Sequence, residues 1–328
     1  MSTSRTGQWI VGCCGAAIVV AAAGVVIVGV QSKDRNAGHG GSASELVPAK
    51  FGPAEPGVPV NPSSQEGTAG GTLGPVPITG TEGRLPGGVT ENLVLQKGET
   101  FYGKGEGFFK DGDYASATRY LRAEVDGHPD RFYPAYLLGL SLWKEGKLDE
   151  AITSLTSAAS LDSGSVKARV NLGRVLNDAG SYEEALEVAD EAIALDPESS
   201  PAHNVRGRAL LNLGRKDEGV EAFKTAVEKD AANAYAQNNL GYALIGQGRF
   251  SEAVPYLEEA VRLDPAVGFF QNNLGMAYER TGQTDKAKEA YGKAVKAGGS
   301  DHAGPNLARL GGTVDDENIT EGGQESSN

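Results

Sequence analysis

A period of thirty-four residues limits the fold of this chain more than any other feature, and it runs without insertion from residue 98 to residue 301. Four rows of small residues mark it. Two rows are glycines: Gly105, Gly139, Gly173, Gly207, Gly241 and Gly275, and then Gly112, Gly146, Gly180, Gly214, Gly248 and Gly282. Two rows are mostly alanines: Ala117, Ala151, Ala185, Gly219, Ala253 and Ala287, and then Ala158, Ala192, Ala226, Ala260 and Ala294. A fixed period of this length is typical of stacked structural units.

Large apolar residues lie between the small ones at helical spacing, as Leu172 and Leu176 do in one segment and Leu186 and Ile193 do in the next. Each period therefore predicts two helices. We expect the first and third rows to let the two helices of a unit approach closely, and the fourth row to let the next unit dock. The second row falls where the first helix ends, a place where glycine adopts the left-handed conformation without strain.

Three segments of one unit carry a known pattern, at 171–173 (NLG), 180–185 (GSYEEA) and 192–197 (AIALDP). The pattern resembles the tetratricopeptide repeat. The resemblance divides residues 98–301 into six units, which are 98–131, 132–165, 166–199, 200–233, 234–267 and 268–301. It implies an all-α fold, an α-α superhelix of about six helix-turn-helix repeats. It also implies that the first helices line a concave groove that binds a protein or peptide.

Both ends of the repeat depart from the pattern. Glu124 stands where the fourth row has alanine, and Gly103 and Gly107 weaken the first helix of the first unit. After the sixth unit, residues 302–313 are expected to hold a short helix that caps the apolar end of the stack.

Thirteen residues of the first helices form the predicted binding groove, and we call them the groove set. They are Tyr133, Tyr136, Leu140, Trp143, Asn171, Arg174, Asn204, Arg208, Asn238, Asn239, Tyr242, Asn272 and Asn273. The stretch from Tyr133 to Trp143 is either an exposed aromatic patch for a partner or a surface buried against the first unit. Arg174 and Arg208 either grip a partner carboxylate or pair internally, for instance with Asp178.

The asparagines of the groove set resemble the asparagine ladder of the O-linked N-acetylglucosamine transferase superhelix. The resemblance implies that a row of amides holds an extended peptide backbone, since an amide both donates and accepts hydrogen bonds. A second interpretation is that these amides only bond neighbouring turns of this chain.

Composition argues against several other functions. The net charge of -13 disfavours a nucleic-acid partner, because phosphate binding needs a surplus of Lys and Arg. The four histidines lack metal-ligand spacing, and the only cysteines, Cys13 and Cys14, lie outside the repeat. No nucleophile or phosphate-loop motif occurs in the sequence. We therefore predict a protein that is not an enzyme and has no cofactor or metal site.

The chain before the repeat predicts a membrane anchor. Residues 9–30 contain no charge and are long enough to cross a bilayer as a helix, after a short tail at 1–8. A cleaved signal peptide is the alternative, although the apolar run continues to Val30. A lipoprotein signal at Cys13 fits poorly, because the apolar stretch before it is short.

Two further segments are predicted to be disordered. Residues 31–97 are rich in Gly, Pro and Ser, and residues 314–328 form an acidic tail, so neither can bury enough apolar surface to fold. We expect a single-pass membrane protein, with the exoplasmic or periplasmic side favoured for the repeat.

The function predicted from the sequence is a membrane-anchored scaffold or adaptor. Its groove would capture an extended segment of a partner protein during assembly of a membrane or envelope complex. The alternatives are a self-associating structural module and a non-catalytic regulatory subunit of a multiprotein complex.

Overall fold

The computed structural model describes residues 93–298 and 300–313, together with two short strands near the N-terminus. The strands, β1 (Val20–Ala21) and β2 (Gly24–Val25), pair antiparallel. At these four positions the structure has strand where the sequence predicts a transmembrane helix.

The other residues of the predicted anchor lie outside the described part of the chain, as do residues 1–8, 31–92 and 314–328. The helices that the structure does describe are all too short or too polar to span a bilayer.

Residues 93–313, as far as the structure describes them, fold into thirteen α-helices, twelve in the six units and one after them, and each helix packs against the next one along the chain. They are α1 (Phe101–Lys110), α2 (Tyr114–Gly127), α3 (Phe132–Lys144), α4 (Leu148–Leu161), α5 (Val166–Ala179), α6 (Tyr182–Leu195), α7 (Ser200–Asn212), α8 (Lys216–Lys229), α9 (Ala234–Gly246), α10 (Phe250–Leu263), α11 (Gly268–Arg280), α12 (Thr284–Ala297) and α13 (Ala303–Arg309). The odd-numbered helices α1 to α11 are the first helices of the six units, and neighbouring first helices also contact each other. The all-α superhelix implied by the repeat pattern is confirmed.

Local signals set the helix ends. Ser165, Ser199 and Asn233 precede α5, α7 and α9, and the side chain of each accepts a hydrogen bond from the backbone N–H three residues later. At the other end of the first helices, the six glycines of the second row have φ between 76° and 84°. A residue with a side chain is strained in that conformation, so the row needs glycine.

The first glycine row faces large side chains. A Cβ on Gly139 would lie 2.6 Å from Cγ of Leu155, which belongs to the second helix of the same unit. The same contact with the unit's own second helix occurs at four other glycines of the row, through Leu121, Phe223, Leu257 and Tyr291. One large side chain therefore fills the space above each of these glycines, as expected for two helices that pack closely.

Gly173 differs from the rest of its row. The equivalent residue of its own unit is Ala189, which is too small to fill the space, and Val205 of the next unit lies there instead. A Cβ on Gly173 would meet Cγ1 of Val205 at 2.7 Å. The prediction that this glycine serves contacts within its unit therefore holds only in part, because the closest side chain comes from α7.

The two ends of the stack are built differently. At the N-terminal end α1 forms despite its glycines, and the hydroxyl of Thr100 caps it by accepting from the N–H of Gly103 at 3.0 Å. At the C-terminal end the guanidinium of Arg309 in α13 donates two hydrogen bonds to the carboxylate of Glu279. The side chain of Leu307, which belongs to α13, is buried. The short helix thus closes the end of the stack.

Candidate protein-binding site

The asparagines of the groove set are buried. Asn171, Asn204, Asn238, Asn239, Asn272 and Asn273 each expose no more than 4% of their surface. A buried amide needs hydrogen-bond partners inside the protein, because leaving one unmade costs about 1 to 3 kcal/mol.

These amides find partners in neighbouring units. Nδ2 of Asn273 donates to Oδ1 of Asn238 at 2.9 Å. Nδ2 of Asn238 donates to Oδ1 of Asn239 at 3.2 Å, and Nδ2 of Asn239 donates to Oδ1 of Asn204 at 3.0 Å. One relay of amides thus joins α11, α9 and α7. The geometry matches the second interpretation of the asparagines, in which they bond other parts of this chain.

The arginines of the groove set also have internal contacts. Nη2 of Arg208 donates to one carboxylate oxygen of Asp178 at 2.9 Å, and Nε1 of Trp143 donates to the other oxygen at 2.9 Å. Asp178 therefore links α3, α5 and α7. Nη1 of Arg174 donates to Oδ1 of Asn171 at 3.0 Å. Internal pairing, the second of the two interpretations for these arginines, is what the structure displays.

The aromatic stretch divides between core and surface. Tyr136 is buried, its ring stacks on Phe132 at 5.5 Å, and its hydroxyl accepts a hydrogen bond from Nδ2 of Asn171 at 2.6 Å. Burial raises the pKa of Tyr136 to about 12. Leu140 is buried, whereas Trp143 and Tyr242 are half-buried. Only part of the stretch is therefore available to a partner.

Tyr133 is the accessible member of this stretch, with 48% of its surface exposed. Within the described residues four large hydrophobic side chains are exposed, and Tyr133 is the aromatic one among them. It lies on the wall of a cavity of about 520 Å³ at the N-terminal end of the stack, which we call the aromatic cleft. The walls of the aromatic cleft include Leu95, Phe101, Tyr102, Phe132, Tyr133 and Pro134. A cavity of this size and lining is typical of binding sites.

Glu124 forms the polar side of the aromatic cleft. Its carboxylate is buried and accepts a hydrogen bond from Nη1 of Arg131 at 2.7 Å, while Nδ1 of His128 lies 3.3 Å away. The sequence shows Glu124 as a departure from the alanine row, but the pattern does not reveal what its carboxylate contacts. Glu124 replaces the alanine of the fourth row at the aromatic cleft. Its carboxylate supplies a charged group there that an alanine cannot provide.

A second cavity, of about 410 Å³, lies between α7, α8 and α9. Charged side chains line it, and they are paired with each other or with neighbours, as Asp217 is with Gln247 at 2.9 Å. Such a surface is well solvated. The part of the chain that the structure describes also contains no group of three His, Cys, Asp or Glu side chains placed to hold a metal ion.

Comparisons with known proteins agree with the repeat pattern. Family models described as tetratricopeptide repeat match residues 102–166, 136–200 and 204–268, and a further model of that description matches residues 270–297. No curated protein matches this chain.

Two solved structures illustrate the likeness of fold. One is the APC/C hetero-tetramer Cut9–Hcn1, with 19% sequence identity and a TM-score of 0.58, where the match covers 64% of this chain and 42% of that chain. This chain thus spans less than half the length of that relative. The other is a tetratricopeptide repeat protein from Parabacteroides merdae ATCC 43184, with 20% identity and a TM-score of 0.51, covering 64% of this chain and 84% of that one. At these identities the likeness concerns the fold alone.

The amide relay generates a prediction about stability. Asn239→Ala removes both the donor to Asn204 and the acceptor for Asn238, and it should lower the free energy of unfolding by about 1 to 3 kcal/mol. Asn212→Ala is the matched control, because Asn212 is exposed at the end of α7, and it should change the value by less than about 0.5 kcal/mol. Urea denaturation followed by circular dichroism measures both. Equal stability of the two variants would show that the relay does not hold the units together.

Proposed function

Because this chain belongs to the tetratricopeptide-repeat family, we propose that it is a scaffold or adaptor that binds an extended segment of a partner protein. Proteins of this family typically act as adaptors without catalysis. The observation that carries the proposal is the half-exposed Tyr133 on the wall of the aromatic cleft. Elsewhere in the described stack the large aromatic side chains are buried or partly buried, so this end offers the aromatic surface that a partner needs.

The aromatic cleft, which contains Tyr133, is favoured as the main contact over the other members of the groove set. The amides and guanidinium groups of the groove set are engaged with one another, as in the contacts of Asn239 and Arg208. A partner lying along them must first break these contacts, which costs free energy. The half-exposed ring of Tyr133 on the wall of the aromatic cleft is directly accessible to a partner.

The difference between the two ends supports a partner rather than stacking of identical copies. Self-stacking requires that the last unit of one copy meets the first unit of the next, as heterologous contacts do. Here α13 closes the C-terminal end with the Arg309–Glu279 ion pair and the buried side chain of Leu307. The aromatic cleft therefore has no complementary apolar surface at the opposite end of the described stack.

The proposal includes attachment to a membrane through residues 9–30, where the scaffold would serve assembly of a membrane or envelope complex. Its support is the uncharged run of twenty-two residues, which matches the thickness of a bilayer.

The membrane attachment is tested by extraction at alkaline pH. The full chain should stay with the membranes, and a variant with Val20→Lys and Val25→Lys should be released, because charged residues at the centre of a span are costly. The control variant carries Val47→Lys and Val58→Lys, outside the uncharged run, and should stay with the membranes. Release of the unaltered chain would rule out a spanning anchor.

The binding surface is tested by Tyr133→Ala. Truncation of an aromatic anchor typically costs about 2 kcal/mol, so we expect capture of the crosslinked partner from native membranes to weaken more than tenfold. Helical content should not change, because the side chain is half exposed. The matched control is Leu195→Ala, which shortens a side chain of similar exposure, 46%, on α6. Equal capture by the two variants would contradict a role for the aromatic cleft.

A further inference from the structure

The chain contains a proline pattern that the repeat does not explain. Pro53, Pro56, Pro59 and Pro62 occur at every third position of the sequence PAEPGVPVNP, which we call the proline stretch. A polyproline II helix has three residues per turn and a rise of about 3.1 Å per residue. Prolines at this spacing would all lie on one face of such a helix, about 9 Å apart.

The aromatic cleft has the chemistry that recognises such a face. Proline-rich segments dock into grooves lined by aromatic side chains, and they lose little entropy in doing so because proline already fixes its φ angle. Phe101, Tyr102, Phe132 and Tyr133 supply an aromatic lining, with Tyr133 half exposed. Burial raises the pKa of Tyr102 to about 12.

One pair of opposite charges is available between the proline stretch and the rim of the aromatic cleft, at Glu55 and Arg131. The proline stretch contains one charged residue, Glu55, which lies between its first two prolines. The rim of the aromatic cleft carries Arg131 and His128, whose side chains are 54% and 50% exposed. Both contact the buried carboxylate of Glu124 and face solvent with their remaining surface. The carboxylates of Glu99 and Glu124 also line the aromatic cleft, so the Arg131 guanidinium is the permanently charged cation there that the Glu55 carboxylate would contact.

The length of the intervening chain permits the contact. Thirty residues separate Pro62 from Leu93, and the aromatic cleft begins at Leu95. A flexible linker of thirty residues has a root-mean-square reach of about 30 Å, which corresponds to an effective concentration on the order of millimolar for a segment tethered at that length.

We propose that the aromatic cleft binds the proline stretch of its own chain, so that a partner segment must displace an internal ligand. This proposal rests on the proposed function, because both assign binding to the aromatic cleft. It goes further in naming the occupant of the unbound protein, and it makes the proline stretch a regulator of partner binding.

Photocrosslinking of the full chain tests the proposal. A benzophenone amino acid in place of Tyr133 should crosslink, after illumination, to the tryptic peptide of residues 51–84, which mass spectrometry identifies. The same amino acid in place of Leu195, which is 46% exposed, should give at least tenfold less of this product. Equal yields from the two positions would overturn the proposal.

Two proline variants make the test specific. Pro56→Ala with Pro59→Ala breaks the three-residue spacing and should lower the crosslink yield at least tenfold. Pro75→Ala with Pro77→Ala changes the same number of prolines in the same tryptic peptide and should leave the yield unchanged. An unaltered yield in the first variant would show that the proline face does not bind.

A mixture of isotopically heavy and light chains identifies the source of the peptide. Crosslinks within one chain should dominate, and crosslinks between heavy and light chains at the statistical ratio would overturn the intramolecular proposal.

Crosslinks from position 133 to another protein, with none to residues 51–84, would also overturn it while the proposed function stands. Strong crosslinks to residues 51–84 together with normal partner capture by Tyr133→Ala would instead support this inference and reject the proposed function.

Discussion

The whole structure depends on the space above one glycine in each first helix. A helix without a side chain at that point lets its partner insert one large apolar residue, such as Leu155 above Gly139. Burial of that residue ties the two helices together, and repetition at thirty-four residues ties each unit to the next. The Gly173 position demonstrates the same requirement in another form, since Val205 from the following unit fills the space that Ala189 leaves.

This packing also decides which polar groups remain for function. Because successive first helices lie against each other, the amides between them are buried and hydrogen-bond to one another, as Asn239 does to both Asn238 and Asn204. Asp178 takes up the donors of Trp143 and Arg208 in the same way. These polar side chains between the first helices therefore hold neighbouring units together. Within the described residues no helix lies before α1, and aromatic surface remains open where the first unit meets Tyr133 at the start of the second.

The sequence was sufficient for the repeat, its helices and the glycine turns, because each of these depends on residues within one period. It identified the right residue types on the first helices but not their exposure. Whether Asn239 faces a ligand or a neighbour depends on how far the next helix approaches, which spacing along one helix does not reveal. The same holds for Tyr136, which shares a helix with Tyr133 and yet lies in the core. The sequence pointed to the aromatic cleft only through Tyr133 in the predicted aromatic patch and Glu124 in the alanine row, since the cavity itself depends on how α1, α2 and α3 pack.

The central claim, that one large side chain must fill the space above each glycine of the first row, is tested most directly by a double-mutant cycle at Gly173. The cycle compares Ala189→Leu, Val205→Ala and the double variant by urea denaturation. Each single change should destabilise the protein, the first by overpacking and the second by leaving a cavity. In the double variant the new leucine should occupy the space of the lost valine. The free energy of unfolding should therefore fall by about 1 to 3 kcal/mol less than the sum of the two single losses. Additive effects, within about 0.5 kcal/mol, would contradict the account.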